Sequence, residues 1–125
     1  MDELDPMQKN RILAEAALIR MFSAFNDVVK MAACIKEALR LFDGEASCLF
    51  RQDNVIGFAS PHQLYAYYRE PGKLKETVEF MAAELPAFTR VTNGCFTGND
   101  YLTTAEYALE TGDWQGAELN ALKAI

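Results

Sequence analysis

This chain has little of what metal or nucleophile chemistry is built from. Its 125 residues include one histidine and three cysteines. Cys34, Cys48 and Cys95 are odd in number and far apart, and His62 has no cysteine beside it in sequence. Such spacing builds neither a disulfide framework nor a zinc site. Positive charge is also short, with 12 Lys and Arg against 18 Asp and Glu. A net charge of −6 is a poor match for a phosphate backbone or an anionic lipid surface. Direct nucleic-acid contact and membrane docking are therefore not expected. No apolar run approaches the roughly 18 to 20 residues of a membrane span. The start Met1-Asp2-Glu3-Leu4-Asp5 is acidic, unlike the basic start of a signal peptide. These absences point to a reduced, cytoplasmic setting.

What is present is helical. The length suits one domain over residues 1–125, and the balance of 50% hydrophobic and 24% charged residues is that of a globular core and surface. Asp5-Pro6-x-Gln8 reads as a helix start, with a capping aspartate, proline in the first turn and a capping-box glutamine. Ile12, Leu13, Ala16, Ala17, Ile19, Met21, Phe22 and Phe25 follow at a density that predicts burial on more than one side. Asn26-Asp27 starts a second helix with Val28, Met31, Ile35, Ala38, Leu39 and Phe42 on one face. Asp43-Gly44 ends it with a left-handed cap. Residues 45–59 lack helical spacing and read as a long connection with short extended pieces, packed against the second and third helices. Ser60-Pro61-His62-Gln63 starts a short third helix to about Arg69. Leu74, Val78, Met81, Ala82 and Leu85 mark a fourth, which Pro86 should bend or stop. A fifth runs from about Thr97 or Asn99 to Thr111, and a sixth starts at Asp113.

The second helices repeat a pattern. Asn26-Asp27-Val28, Gly72-Lys73-Leu74 and Gly112-Asp113-Trp114 each place a large apolar residue two positions after a turn residue. A small or medium residue follows at five (Met31, Thr77, Ala117) and an apolar one at thirteen (Leu39, Leu85, Ile125). Their spacing near 40 residues predicts a solenoid of helical hairpins. The fold expected is all-α: a right-handed α-solenoid of about three tetratricopeptide-like hairpins, with a long loop after the second helix. Trp114 is expected to fill the groove at a hairpin turn. Leu119 and Leu122 should lie exposed on the last hairpin, where self-association could follow.

Gly112-Asp113-Trp114-x-x-Ala117-x5-Lys123-Ala124-Ile125 resembles the second half of a tetratricopeptide repeat. Three further stretches resemble the helical-repeat region of LuxR-type bacterial transcriptional regulators similar to the maltose regulator. They are Phe25-Asn26-Asp27-x-x-Lys30-Met31, Ser60-Pro61-x4-Tyr65-x3-Arg69-Glu70-Pro71-Gly72-x-Leu74, and Glu84-Leu85-Pro86-x3-Arg90-x-x-Asn93-Gly94. The resemblance implies a parent protein with an ATP-binding module, a winged-helix segment, this repeat region and a DNA-binding helix-turn-helix. The repeat region would receive an effector or protein partner and couple it to self-assembly. This chain has no Gly-x-x-x-x-Gly-Lys-Ser/Thr phosphate loop and no basic recognition helix. It is thus expected to be a section of a longer regulator without ATPase or DNA-binding activity of its own. It would hold no cofactor, ATP being implied for the parent alone.

Candidate contacts for an effector or partner are Tyr65, Tyr68 and Arg69 in one aromatic cluster, and Arg90 and Asn93 around a loop. Tyrosine and arginine join a packing surface to a hydrogen-bonding tip, which suits a binding surface. The plainer reading packs the tyrosines, with Tyr67, between hairpins and makes Asn93-Gly94 a simple turn. Glu15 and Glu106 lie among small apolar residues and should each bond an arginine or a turn amide. Catalysis would need paired titratable groups in a pocket, which the sequence does not offer, so no enzyme is expected. A stand-alone tetratricopeptide adaptor that binds a peptide is the alternative, and a small helical enzyme ranks last.

Overall fold

The computed structural model describes residues 4–51 and 70–125 of the chain. Five helices follow one another: α1 (Pro6–Ser23), α2 (Val28–Phe42), α3 (Leu74–Val91), α4 (Asn99–Glu110) and α5 (Trp114–Ala124). No strand occurs among the described residues, so the all-α class holds and the 45–51 part of the connection is not extended sheet. The short helix expected after Ser60 lies outside the described residues. No described helix is long and apolar enough to cross a membrane.

The helix starts follow the sequence closely. Pro6 opens α1, although Asp5 makes no side-chain cap bond. Asp27 and Asp113 do cap, accepting from the backbone N–H of Lys30 and of Gly116. Each satisfies a donor that the first turn would otherwise leave open, contributing about 1 kcal/mol. The residues before the three repeated starts share one conformation: Asn26, Gly72 and Gly112 all have positive φ, between 69° and 83°. A left-handed residue reverses the chain direction in one step, which glycine and asparagine tolerate best. The positions five residues into the repeats agree as well: Met31, Thr77 and Ala117 are all buried.

Packing runs along the chain. α1 packs chiefly on α2, α2 on α3, α3 on α4 and α4 on α5. Ala14 and Ala17 of α1 and Ala38 of α2 are fully buried, and such small side chains let two helices approach closely. Leu18, Ile35, Met81 and Leu85 fill the interior between them. Gly98, before α4, shows how tightly the last pair closes. It has positive φ, and a Cβ there would lie 2.5 Å from the Ala124 carbonyl oxygen.

Three expectations are corrected. α1 buries one side only, on Ala14, Ala17, Leu18 and Met21, while Ile12 and Ile19 are 55% and 53% exposed. The helix is apolar on both sides, but α2 and the 47–50 segment cover only one. Of the two outcomes expected at Pro86, the stop is overturned: α3 continues for five residues to Val91. Pro86 is exposed, so the Ala82 carbonyl it leaves unpaired lies on the solvent side, while Leu85 and Phe88 anchor both flanks. Trp114 fills no groove: it is 70% exposed, because α5 turns Ala117 toward its neighbour. In the described part of the connection the Glu45 N–H donates to the Phe42 carbonyl of α2, and Phe50 joins the buried cluster with α2. Residues 47 and 48 are also bonded to α1 and to the end of α3. The third helix expected to cover the connection lies outside the described residues.

Candidate functional site

The first polar cluster ties residues 47–50 to two helices. Ser47 is buried, and its hydroxyl donates to Glu15 Oε2 at 2.6 Å. The Ser47 hydroxyl oxygen in turn accepts from the backbone N–H of Leu49 and of Phe50, both at 3.1 Å. The Cys48 N–H donates to Glu15 Oε1 at 2.7 Å, so both carboxylate oxygens of α1 hold the segment. On the other side the Ser47 N–H donates to the Val91 carbonyl at 2.8 Å. Asn93 Nδ2 donates to the carbonyls of Ser47 and Phe50, each at 2.7 Å. Phe50 is thereby held on Phe22, ring centroids 5.6 Å apart.

This arrangement holds the chain. The Ser47 hydroxyl donates its proton to a hydrogen bond with Glu15, and its oxygen accepts from two amides. Glu15 meets its expectation of a turn amide, and Ser47 supplies a second bond that sequence spacing did not reveal. Glu106 is buried on α4.

Glu15 also acts on an exposed thiol. Its hydrogen bond to Cys48, and then its negative charge, raise the Cys48 pKa above the ordinary thiol value. Less thiolate is then present near neutral pH, and the thiolate is the reacting form. Glu15→Gln should lower that pKa, and alkylation of Cys48 by iodoacetamide near neutral pH should quicken several-fold. The rate followed by mass spectrometry, with Cys34 and Cys95 as internal references, tests this. An unchanged Cys48 rate would mean that the carboxylate does not control the thiol.

Of the residues singled out from sequence, Tyr65, Tyr68 and Arg69 lie outside the described residues. Arg90 stands exposed in the last turn of α3, and Asn93 follows three positions later with φ 54°. Both belong to one end of α3, but their tasks differ. Asn93 has both amide hydrogens on the 47–50 carbonyls. Arg90 has no ion-pair partner among the described residues.

A cleft of about 350 Å³ opens between the start of α2 and the start of α3. Asn26, Asp27 and Val29 form one wall, and Glu70, Glu76 and Phe80 the other. Lys73 sits between and pairs with Glu76 at 2.7 Å. That bond raises the lysine pKa, which keeps its ammonium charged. Asn26 Oδ1 is buried and has no hydrogen-bond partner in the structure. The volume falls in the range of small-molecule pockets, and the lining mixes an aromatic ring with carboxylates. The sequence marked Asn26 as a turn residue only. Its place in a cleft depends on Glu70, Glu76 and Phe80, more than forty positions away. No group of three or more His, Cys, Asp or Glu is placed to hold a metal ion among the described residues. Searches with family models, among curated proteins and among solved structures find no match to this chain.

Proposed function

We propose that this chain is a signal-receiving helical-repeat region of a LuxR-type, ATP-dependent transcriptional regulator, a right-handed array of tetratricopeptide-like hairpins. It binds an effector or partner and performs no chemistry, ATP and DNA being handled by other modules of the parent. The observation that carries the reading is the threefold turn: a left-handed residue at 26, 72 and 112, a helix start two residues on, and a buried residue at 31, 77 and 117. Helices stacked on chain neighbours suit such an array, because each unit then packs against the next. The cleft between two repeated starts is the effector's place in this reading. A ligand there would bridge α2 and α3 and favour one packing of the hairpins over another, which is how binding energy becomes a conformational signal.

The coding sequence on either side of this segment is the first test. A phosphate-loop motif upstream and a helix-turn-helix downstream are expected. A frame with neither would sink the regulator reading and leave the adaptor. In the purified parent, Phe80→Ala should then raise the effector concentration needed for half-maximal activation without changing basal ATP hydrolysis.

A further inference from the structure

Asn93-Gly94 is the one Asn-Gly pair in the sequence, and it stands in the turn after α3. An asparagine before glycine loses its side-chain amide most readily, because glycine has no Cβ to hinder its backbone nitrogen. The other asparagines precede Arg11, Asp27, Val55, Asp100 and Ala121, all of which carry a Cβ. The reaction needs two freedoms. The Gly94 nitrogen must give up its proton, and the Asn93 side chain must turn until Cγ meets that nitrogen. The fold restrains both. The Gly94 N–H donates to the Thr89 carbonyl at 2.9 Å. Asn93 Nδ2 is held by the Ser47 and Phe50 carbonyls, each at 2.7 Å. Asn93 itself is exposed, so water is at hand once the side chain is released.

We propose that Asn93 is a deamidation site gated by the docking of residues 47–50, and that its conversion keeps them undocked. When the segment opens, the Gly94 nitrogen attacks Asn93 Cγ. A bond forms between them, the Cγ–Nδ2 bond breaks, and the proton lost from Gly94 is balanced by one taken up as Nδ2 leaves as ammonia. Water then opens the five-membered imide at one of its two carbonyls, giving aspartate or isoaspartate. Nothing is oxidised or reduced, and water is the only co-reactant. The consequence follows from donors and acceptors. The amide offers two N–H donors where the ionised acid offers none. The Ser47 and Phe50 carbonyls would then face oxygens at contact distance in place of the hydrogens they now accept. Glu15 already sets one carboxylate against this segment, through the Ser47 hydroxyl and the Cys48 N–H. A second would place negative charge on both sides of it. In the isoaspartate product the main chain also gains one carbon, which displaces the left-handed turn at Asn93. Undocking lifts Phe50 from Phe22 and uncovers both rings. Opening thus permits the reaction, and the reaction sustains the opening. The site lies at the opposite end of α3 from the cleft, so its failure would leave the effector reading untouched.

Ageing the full chain at neutral pH and following it by peptide mass spectrometry tests this. Asn93 should convert to a mixture of isoaspartate and aspartate while Asn10, Asn26, Asn99 and Asn120 stay intact. Unfolding the chain in urea should speed conversion at Asn93 about tenfold or more, since two restraining hydrogen bonds are then gone. Glu15→Ala loosens the segment without touching Asn93 and should fall between the two, with circular dichroism to show that its helices persist. Converted chain, separated by anion exchange on its added charge, should be cut between 44 and 51 several-fold faster than unconverted chain. Asn93→Asp should reproduce the aspartate fraction. Equal rates in folded and unfolded chain would overturn the gating. An Asn93 that stays intact in urea would overturn the site. Converted chain cut no faster than unconverted chain would overturn the undocking.

Discussion

Leu18→Ala is expected to destabilise the fold by about 3 kcal/mol, while Ile19→Ala, one residue further along the same helix, should cost under about 1 kcal/mol. Leu18 is fully buried and belongs to the central cluster with Ile35, Met81 and Leu85; Ile19 is more than half exposed. Truncating a buried leucine removes its transfer free energy and leaves a cavity that tight neighbours cannot close. Truncating an exposed isoleucine removes surface that was already in water. In a chain of this size the first loss corresponds to a fall in Tm on the order of 10 °C. Thermal denaturation of both variants checks the contrast. Equal losses would mean that the two sides of α1 are covered alike.

Asn93→Ala is expected to cost about 3 kcal/mol and to loosen residues 44–51. Two effects add. The amide gives up its bonds to the Ser47 and Phe50 carbonyls, each contributing about 1 kcal/mol. Alanine must also hold a positive φ, which disfavours any residue with a Cβ that lacks the local hydrogen bonding of asparagine. Asn93→Gly separates them, since glycine keeps the backbone geometry and loses only the bonds. Denaturant unfolding should rank wild type above Asn93→Gly and Asn93→Gly above Asn93→Ala. Limited proteolysis should cut both variants faster between 44 and 51. Unchanged cleavage would show that Glu15 and the Val91 carbonyl hold the segment without Asn93.

The helix starts were legible because their signals are local. Asp27 and Asp113 each directly follow a turn residue and bond amides three positions ahead, and no other part of the chain is needed for that. The α2 face was equally legible: Met31, Ile35, Ala38 and Phe42 recur at helical spacing, with Lys30, Lys36, Glu37 and Arg40 exposed, and are buried as the spacing requires. α1 was misread for the same physical reason. Apolar residues surround it, so periodicity cannot tell which side the next helix covers. Trp114 and Pro86 misled in a related way. Each residue type carries a strong average preference, and each sits on the solvent side, where that preference has little to act on.

The clusters were only partly legible. Asn93 drew attention as the first residue of an Asn-Gly turn, a local property. Its bonds to Ser47 and Phe50 span more than forty residues and follow from where the end of α3 meets the chain leaving α2. Glu15 could be expected to need a partner, because a carboxylate among small apolar residues must be satisfied, but no spacing names Ser47.

The sequence by itself determined the five described helices, the Asp27 and Asp113 caps, the recurring left-handed turn and the shortage of metal-binding and nucleophilic groups. Those depend on contacts within a few residues or on composition. Only the tertiary structure decided which side of each helix is covered, which carbonyls Asn93 holds, and where Asn26 meets Phe80 across a cleft. Those outcomes depend on the approach of elements distant in the chain, and burial is a property of that approach.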